Sequence, residues 1–278
     1  MTTRFAFATC VQLGLSCIEE IYRMGHKLDL LITLHDTKDR AKSGRVCLES
    51  AAAKFSVPLI KTSNINRQSV IETIKQSGID WLFIIGWSQI AKEDLLNAPK
   101  WGCIGMHPTL LPEGRGRASI PWAILKGLKE TGVTLFKIDA GVDSGPIIAQ
   151  KTIPLDSDEN ASSLYGKVVQ AHVELIRDSY EDILTCQFDA SPQDASAATT
   201  WDARRPEDGE ITPVMTMLEA DRMVRAVTKP YPGAFLRKVD GTLRIWRAST
   251  TPSWVEGAIK LADGYLRPVD FNFEEFER

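Results

Sequence analysis

Short apolar runs alternate with helical patterns through the first half of the chain, and this alternation constrains the fold more than any other feature. Each apolar run has about the length of one strand, and the segments between them have the apolar spacing of an amphipathic helix. Parallel strands need a crossover between them, which a helix usually supplies. The pattern therefore predicts an α/β, Rossmann-like domain with a mostly parallel sheet and helices on both faces. The predicted strands are 5–9, 28–34, 57–60 and 81–85, and the predicted helices are 13–24, 46–55 and 69–76.

The same domain continues through the middle of the chain. A glycine-rich turn at 139–145 lies between two β-type runs, so we expect these two strands to form a hairpin. A long helical pattern follows them. The further predicted strands are 103–106, 131–138 and 146–153, and the further helices are 120–126 and 162–184.

A change in composition marks the end of this domain. Segment 189–200 is rich in Ala, Ser, Thr and Asp and lacks large apolar side chains, which is typical of a linker. The residues after it predict a smaller β-rich, OB-like domain, with a helix at 218–227 and strands at 234–239 and 243–248. The predicted organisation is an N-terminal catalytic domain at 1–190, a linker at 191–200 and a C-terminal domain at 201–278.

Charge and cysteine content narrow the class of protein. The net charge is −3 and the isoelectric point is about 5.9, whereas proteins built to grip nucleic acid usually carry a basic surplus. The five cysteines form no CxxC pair and no cluster with histidine, so we expect buried free thiols, a cytoplasmic location and no metal site. No secretory signal pattern and no apolar run of transmembrane length is present, which fits the same location.

Two polar residues stand at places where an α/β sheet binds ligands. His107 follows a predicted strand directly and precedes Pro108, which biases it to an extended backbone. Asp143 lies in the glycine-bordered turn after the strand 131–138. An imidazole and a carboxylate in contact can polarise an acyl oxygen and relay the proton of an attacking amine. The alternative is an ordinary structural role, in which His107 caps the loop and Asp143 satisfies turn amides.

The residues around this pair resemble a known family. Segment 102–116 reads Gly-Cys-Ile-Gly-Met-His-Pro-Thr-Leu-Leu-Pro-Glu-Gly-Arg-Gly and resembles the signature loop of the 10-formyltetrahydrofolate-dependent formyltransferases. Segment 131–147 reads Thr-Gly-Val-Thr-Leu-Phe-Lys-Ile-Asp-Ala-Gly-Val-Asp-Ser-Gly-Pro-Ile and resembles the second motif of that family. Segments 204–209 and 229–235 are similar to C-terminal landmarks of its tRNA- and sugar-modifying branches. The resemblance therefore covers nearly the whole chain.

The resemblance implies roles for individual residues. His107 would contact the formyl oxygen, and Asp143 would orient the reacting groups and help to move the proton. Leu110 and Leu111 would shape the folate channel, although ordinary loop packing is an equally good interpretation of both. The implied donor is 10-formyltetrahydrofolate, with no metal. The residues implied to lie along the pterin pocket are Gly86, Trp87, Ser88, Ile90, Asp139, Gly141 and Val142.

One position departs from the family pattern. The family has Asn two residues before the histidine, and this chain has Gly105 there, which has no side chain to donate to the formyl oxygen. Loss of one such donor typically costs about 10²–10³ in rate. Three explanations compete: another side chain or a water substitutes, with Gln89 and Gln12 as candidates; the enzyme is slow or uses another acyl donor; or the protein binds ligands without turnover. We favour the first.

The acceptor amine is open between two branches of the family. A nucleotide-linked amino sugar is the favoured acceptor, because its diphosphate needs only a few cations and helix-end amides. Methionyl-tRNA is the alternative, supported by a basic stretch formed by Lys38, Arg40, Lys42 and Arg45, which is also typical of a solvated helix face. Aromatic residues of the C-terminal domain belong either to its core or to a homodimer interface. The candidate acceptor-binding residues are Thr9, Gln12, Arg115, Arg117, Arg204 and Arg205.

Overall fold

The computed structural model describes residues 3–35 and 44–276, and the chain divides into two compact units. Both units draw on separate stretches of sequence. The predicted division at 190 and 200 stays a prediction. The first unit comprises Met1–Gly116, Gly132–Ile153 and Val168–Thr200, and the second comprises Arg117–Thr131, Pro154–Lys167 and Trp201–Arg278.

The first unit is built on a seven-stranded mixed sheet. Up to β8 the strands are β1 Phe5–Ala8, β2 Leu30–Leu34, β3 Leu59–Thr62, β4 Trp81–Ile84, β5 Gly102–His107, β6 Arg115–Gly116, β7 Glu130–Lys137 and β8 Ile147–Pro154. The strand order of the sheet is β3-β2-β1-β4-β5-β7-β8. Neighbouring strands from β3 to β5 are parallel, and β7 runs antiparallel to β5. The prediction of a mostly parallel sheet is confirmed.

Alternation along the strands gives the sheet two apolar faces. Side chains of β1 and β4 point in turn to opposite sides, so Ala6 and Leu82 join a cluster with the helix residue Ile74. On the other side, Phe5 lies 5.7 Å from Phe83 between ring centroids. The sequence predicted this two-sided burial from fully apolar runs. The helices are α1 Gln12–Arg23, α2 Glu49–Phe55, α3 Gln68–Gln76, α4 Glu93–Leu96, α5 Ser119–Leu125, α6 Ala161–Thr185 and α7 Met217–Ala226.

The second unit contains a four-stranded antiparallel sheet with α7 packed in the same apolar cluster. The remaining strands are β9 Thr200–Trp201, β10 Ala234–Arg237, β11 Gly241–Thr251, β12 Ile259–Lys260 and β13 Tyr265–Glu275. The strand order of the sheet is β10-β11-β13-β12. Thr216 and Glu219 form a capping box at the start of α7, which fixes where the helix begins. Val224 of α7 shares its core with Ile245 and Leu266 of the sheet. The predicted small β-rich domain is confirmed.

The thiols are free, but not all are buried. Cys10, Cys17 and Cys103 are buried, as expected. The expectation was wrong for Cys47 and Cys186, which lie at positions outside the cores and are exposed. Within residues 3–35 and 44–276, no helix is both long enough and apolar enough to cross a membrane.

Candidate active site

The strand order of the first unit changes direction beside β1. β1 pairs with β2 on one side and with β4 on the other, so the chain leaves β1 in one direction and returns to its opposite edge. Open α/β sheets bind ligands at the carboxyl ends of strands near such a point. The loops after β1 and β4 contact each other there: the Cys10 thiol donates a long hydrogen bond of 3.7 Å to the Gly86 carbonyl oxygen.

His107 and Asp143 come together at the end of β5. The His107 Nδ1 atom lies 3.4 Å from Asp143 Oδ2. The imidazole is almost fully buried and the carboxylate is 21% exposed, so the pair contacts solvent on the side of Asp143. The structure thus places together the two residues that the sequence predicted as a catalytic pair.

The partners of the His107 ring indicate what each ring nitrogen can do. Nε2 lies 2.8 Å from the Gly114 carbonyl oxygen, which can only accept, so Nε2–H is the donor of this bond. Nδ1 faces Asp143 Oδ2, which accepts from the Gly116 backbone N–H at 2.9 Å. A proton that reaches either side chain during a reaction can pass across this contact to the other.

The turn that carries Asp143 is held by its own side chains. Asp143 has a φ of 51°, a left-handed conformation that is uncommon for a residue with a side chain. The Asp139 carboxylate accepts from the Ser144 hydroxyl at 2.9 Å and from the Gly141 backbone N–H at 3.0 Å. Asp139, expected in the pterin pocket, is thus engaged within its own turn.

A buried hydroxyl holds the loop that follows His107. Thr134 Oγ1 of β7 donates to the Thr109 carbonyl oxygen at 2.7 Å and accepts from the Leu111 backbone N–H at 3.0 Å. The Gln150 side-chain amide donates to Thr134 Oγ1 at 2.9 Å and to the Leu111 carbonyl oxygen at 2.8 Å. These bonds hold the loop against the sheet through Thr134 and Gln150, neither of which was identified from the sequence.

The predicted linker also touches the site, which the sequence did not indicate. Gln193 donates from its side-chain amide to the carbonyl oxygens of Asp143 at 2.9 Å and Gly145 at 2.8 Å. Thr199 Oγ1 accepts from the Gly114 backbone N–H at 2.9 Å, and the Thr199 carbonyl oxygen accepts from the Arg115 backbone N–H at 2.9 Å. Part of segment 191–200 therefore supports the loop and the turn.

Apolar side chains occupy the place where the family has its asparagine. A Cβ atom on Gly105 would lie 3.0 Å from Cδ1 and Cγ1 of Ile138 and 3.2 Å from Cε1 of Phe136. Such distances are tighter than ordinary van der Waals contact. The space of the missing side chain is thus filled by Ile138 and Phe136.

Neither of the two glutamines considered as substitutes for that asparagine is placed to donate a hydrogen bond at the Gly105 position. Gln89 accepts from the Ile65 backbone N–H at 3.0 Å and donates to the Ser63 carbonyl oxygen at 2.9 Å, so it holds a neighbouring loop. Gln12 is exposed on α1, and its amide is 3.4 Å from the Ser16 hydroxyl. In the described geometry the Gly105 position gains no side-chain amide from either residue.

The predicted pterin-pocket residues differ in accessibility. Ile90 and Val142 are 68% and 53% exposed, which leaves apolar surface for a ligand. Ser88 and Gly141 are exposed as well, whereas Leu111 is buried. Leu110 is half-buried and lies beside Gly132, so loop packing accounts for part of its role. Trp87 is half-buried and donates from Nε1 to Gln89 Oε1 at 3.3 Å.

The predicted acceptor-binding residues of the first unit are mostly engaged within the protein. Arg115 donates from Nε and Nη2 to Gln193 Oε1 at 3.1 and 2.7 Å. Thr9 is fully buried, and its Oγ1 would lie 2.1 Å from a Cβ atom on Gly14. Arg45 donates to the carbonyl oxygens of Leu34 and His35, and Lys38, Arg40 and Lys42 lie outside the described residues.

The other three predicted cations belong to the second unit. Arg204 lies over the Trp122 ring at 5.0 Å from its centroid, and burial lowers the pKa of this guanidinium. Arg205 donates its backbone N–H to Asp208 at 2.6 Å, and its side chain is exposed. Arg117 is exposed, and its backbone N–H bonds to the Trp201 carbonyl oxygen. Arg204 thus has a structural stacking role, whereas Arg117 and Arg205 present their side chains to solvent.

One buried histidine was not identified from the sequence. His172 of α6 is 1% exposed, and its Nδ1 lies 2.8 Å from the Val168 carbonyl oxygen. Burial, with a smaller contribution from the charge of His107, lowers the pKa of His172 to about 4. His172 is therefore neutral in the folded protein near neutral pH.

Comparison with known proteins gives consistent matches. A family model described as formyl transferase matches residues 29–179, and the model for the formyl transferase C-terminal domain matches residues 204–259. The methionyl-tRNA formyltransferase of Agathobacter rectalis is 29% identical over 247 residues, which cover 88% of this chain and 79% of that protein.

Solved structures share the fold across the full length. The N-formyltransferase from Helicobacter canadensis, solved with folinic acid and dTDP-3-aminofucose, superimposes with a TM-score of 0.72 at 20% identity and covers 99% of this chain and 100% of its own. WlaRD, a sugar 3N-formyl transferase solved with dTDP and 5-N-formyl-THF, gives a TM-score of 0.68 at 18% identity and covers 100% of this chain and 99% of its own.

Proposed function

This chain belongs to the formyl transferase family, and from that premise we propose that it transfers the formyl group of 10-formyltetrahydrofolate to the primary amine of a nucleotide-linked amino sugar. The prediction of a formyltransferase is confirmed, and the acceptor is the part that we propose. The contact between His107 Nδ1 and Asp143 Oδ2 at 3.4 Å carries the chemical argument.

The pair can serve both proton needs of a formyl transfer. The reaction joins the acceptor nitrogen to the formyl carbon and releases tetrahydrofolate, so the amine loses a proton and the leaving nitrogen N10 gains one. An N–H of the His107 ring can turn from its present acceptor to the formyl oxygen and stabilise the negative charge that collects there through a hydrogen bond, while the ring keeps its proton. The Asp143 carboxylate can accept the proton of the amine and return it to N10. Atoms and charges balance without a further reactant.

The described residues fit a folate donor. The pterin ring is flat and largely apolar on its faces, and it needs apolar surface beside polar groups that fix its orientation. Ile90 in the loop after β4 and Val142 in the turn that carries Asp143 are 68% and 53% exposed and would supply such surface. The H. canadensis enzyme and WlaRD were both solved with formylated folates, which supports the same class of donor here.

A nucleotide sugar is favoured over tRNA as the acceptor. Segment 189–200 contains no Lys or Arg, although a tRNA-binding surface needs several cations to neutralise phosphates. The solved H. canadensis enzyme holds a dTDP-amino sugar. Methionyl-tRNA is the second candidate, because the A. rectalis enzyme that formylates it is 29% identical to this chain.

The test is a formylation assay with acceptors of both classes. We expect the full-length protein, given 10-formyltetrahydrofolate and a panel of dTDP-, UDP- and GDP-linked amino sugars, to yield at least one product carrying an added formyl group by mass spectrometry. Charged initiator tRNA is tested in parallel. Product from tRNA alone would overturn the sugar assignment, and no product from any acceptor would overturn the proposed transfer.

A matched pair of histidine variants assigns any activity to the site. His107→Asn is expected to reduce the rate of product formation by at least about 10²-fold. His26→Asn makes the same substitution at a histidine that contacts Glu181 at 3.0 Å and stacks near Tyr180, away from the pair, and should keep the wild-type rate. Equal activity of the two variants would contradict a role for His107.

A further inference from the structure

Gln193 makes an unusual set of contacts for a residue in a segment with the composition of a linker. Its side-chain nitrogen donates to the carbonyl oxygens of Asp143 and Gly145 at 2.9 and 2.8 Å. Its side-chain oxygen accepts two bonds from the Arg115 guanidinium, at 3.1 and 2.7 Å. The half-buried amide therefore uses all its donors and acceptors on the turn of Asp143 and on the loop after His107.

The chemistry of the partners fixes the orientation of this amide. Carbonyl oxygens only accept and a guanidinium only donates, so exchanging the nitrogen and the oxygen of Gln193 would make every contact unfavourable. No side chain of similar length other than glutamine offers two donors on one atom and an acceptor on the other. The contacts thus require this residue type and not merely its size.

Three consecutive residues of the loop after His107 bond to His107, to Gln193 and to Asp143. The Gly114 carbonyl oxygen bonds to His107 Nε2, the Arg115 side chain bonds to Gln193, and the Gly116 N–H bonds to Asp143 Oδ2. Asp143 is meanwhile held at a φ of 51°, which costs energy for a residue with a side chain. A strained residue keeps its conformation only where its surroundings hold it.

We propose that Gln193 is a positioning residue, which holds the backbone of Asp143 so that the Asp143 carboxylate faces His107. Arg115 acts by holding the Gln193 side chain in its orientation through two hydrogen bonds. The proposal rests on the formyl transfer proposed above for the role of the pair. It gives Arg115 a function different from binding the diphosphate of the acceptor.

Three substitutions separate these roles. Gln193→Met keeps the length of the side chain and removes all four hydrogen bonds. Gln193→Glu keeps the acceptor for Arg115 and removes the donor to the two carbonyl oxygens. Arg115→Met keeps Gln193 and removes the two hydrogen bonds that Gln193 accepts from the Arg115 guanidinium. Gln187→Met is the matched control, because Gln187 is exposed in the same part of the chain.

The first measurement needs no acceptor. Crystal structures of the wild type and the two Gln193 variants give the distance between His107 Nδ1 and Asp143 Oδ2, and titration with 5-formyltetrahydrofolate gives donor-analogue affinity. We expect the distance to lengthen by about 1 Å or more in both variants. An unchanged Asp143 in both variants would overturn the proposal, whatever the acceptor proves to be.

The second measurement is the kinetics of transfer to the nucleotide sugar found in the acceptor panel. A displacement of about 1 Å can cost on the order of 10²-fold in rate, so we expect both Gln193 variants to lower kcat by 10- to 100-fold with a KM for the donor within about two-fold of wild type. The Gln187→Met control should match the wild type. Unchanged kcat in Gln193→Glu would overturn the proposal.

A double variant tests the link to Arg115. Two residues that act through one contact give non-additive effects. We therefore expect Arg115→Met to lower kcat, and the double variant Arg115→Met/Gln193→Met to be no slower than the slower single variant. A raised KM for the nucleotide sugar with unchanged kcat in Arg115→Met would instead assign Arg115 to the acceptor diphosphate and overturn its proposed role.

Discussion

Placing the family's asparagine at position 105 is expected to lower the free energy of unfolding and not to raise the rate of formyl transfer. Gly105 is buried in β5 between Ile84 of β4 and Phe136 of β7. A Cβ atom there would meet Ile138 at 3.0 Å and Phe136 at 3.2 Å. An asparagine adds a whole amide group beyond that atom, in a place already filled by apolar side chains. The substitution therefore overpacks the end of the sheet.

The size of the effect follows from opposing contributions. Overpacking a core typically costs about 1–3 kcal/mol. A buried amide left without partners adds roughly 1–3 kcal/mol. Removal of a glycine from a strand returns about 0.5–1 kcal/mol, because the unfolded chain loses freedom. The net loss for Gly105→Asn is thus on the order of 1–5 kcal/mol, and at about 2–4 °C per kcal/mol the melting temperature should fall by several degrees.

Calorimetry of a short series checks this reasoning. Gly105→Ala adds only the Cβ atom, which a shift of a few tenths of an ångström in Ile138 accommodates, so its stability should lie within about 1 kcal/mol of wild type. Adding Ile138→Ala to Gly105→Asn removes the two atoms nearest the new side chain, and the two substitutions should be less destabilising together than the sum of their separate effects. A Gly105→Asn variant as stable as wild type and faster in formyl transfer would refute the reasoning.

Three further outcomes are expected from other residues. His107→Asn should lower kcat for formyl transfer by roughly 10²–10⁴-fold, the range that general acid–base catalysis supplies; a loss below ten-fold in steady-state assays would contradict its role. Thr134→Val should cost about 1–3 kcal/mol in chemical denaturation, because the Leu111 N–H and the Gln150 amide lose a buried partner; unchanged stability would show that they re-pair. Burial lowers the pKa of His172 to about 4 from an ordinary 6.5, so as the pH falls from 6.5 to 4 the unfolded chain takes up a proton that the folded protein does not, and stability falls. His172→Leu should remove that part of the pH dependence of the melting temperature, and identical pH profiles for variant and wild type would contradict it.

The first unit was largely predictable because its strands are apolar on both faces. Phe5 and Phe83 pack on one side of the sheet while Ala6 and Leu82 pack on the other, so periodicity and length alone identify β1 and β4. β13 was not identified. It contains Pro268, a residue that argues against a strand, and its residue Phe271 is 54% exposed, so burial leaves a weak signal in the sequence.

The candidate site contains residues that sequence motifs indicate and residues that no motif indicates. His107 and Asp143 lie in two long motifs that resemble a family, and their contact is observed. Gln193 contacts Asp143 from 50 residues away and Arg115 from 78 residues away, through main-chain carbonyls and one guanidinium. Every residue has a backbone carbonyl group, so the residue types around Gln193 could not indicate which residues it bonds to. The filling of the Gly105 position by Ile138 likewise depends on the packing of β7 against β5.

The bonds from the loop to His107 and Asp143 set a practical rule for anyone who redesigns this enzyme. Both come from the main chain of glycines, at Gly114 with a φ of 72° and Gly116 with a φ of 106°. A substitution other than proline keeps the bonding group at either position, but it strains the backbone that aims it. Random libraries should therefore hold 114 and 116 fixed and place their diversity at the exposed neighbours Glu113 and Arg117.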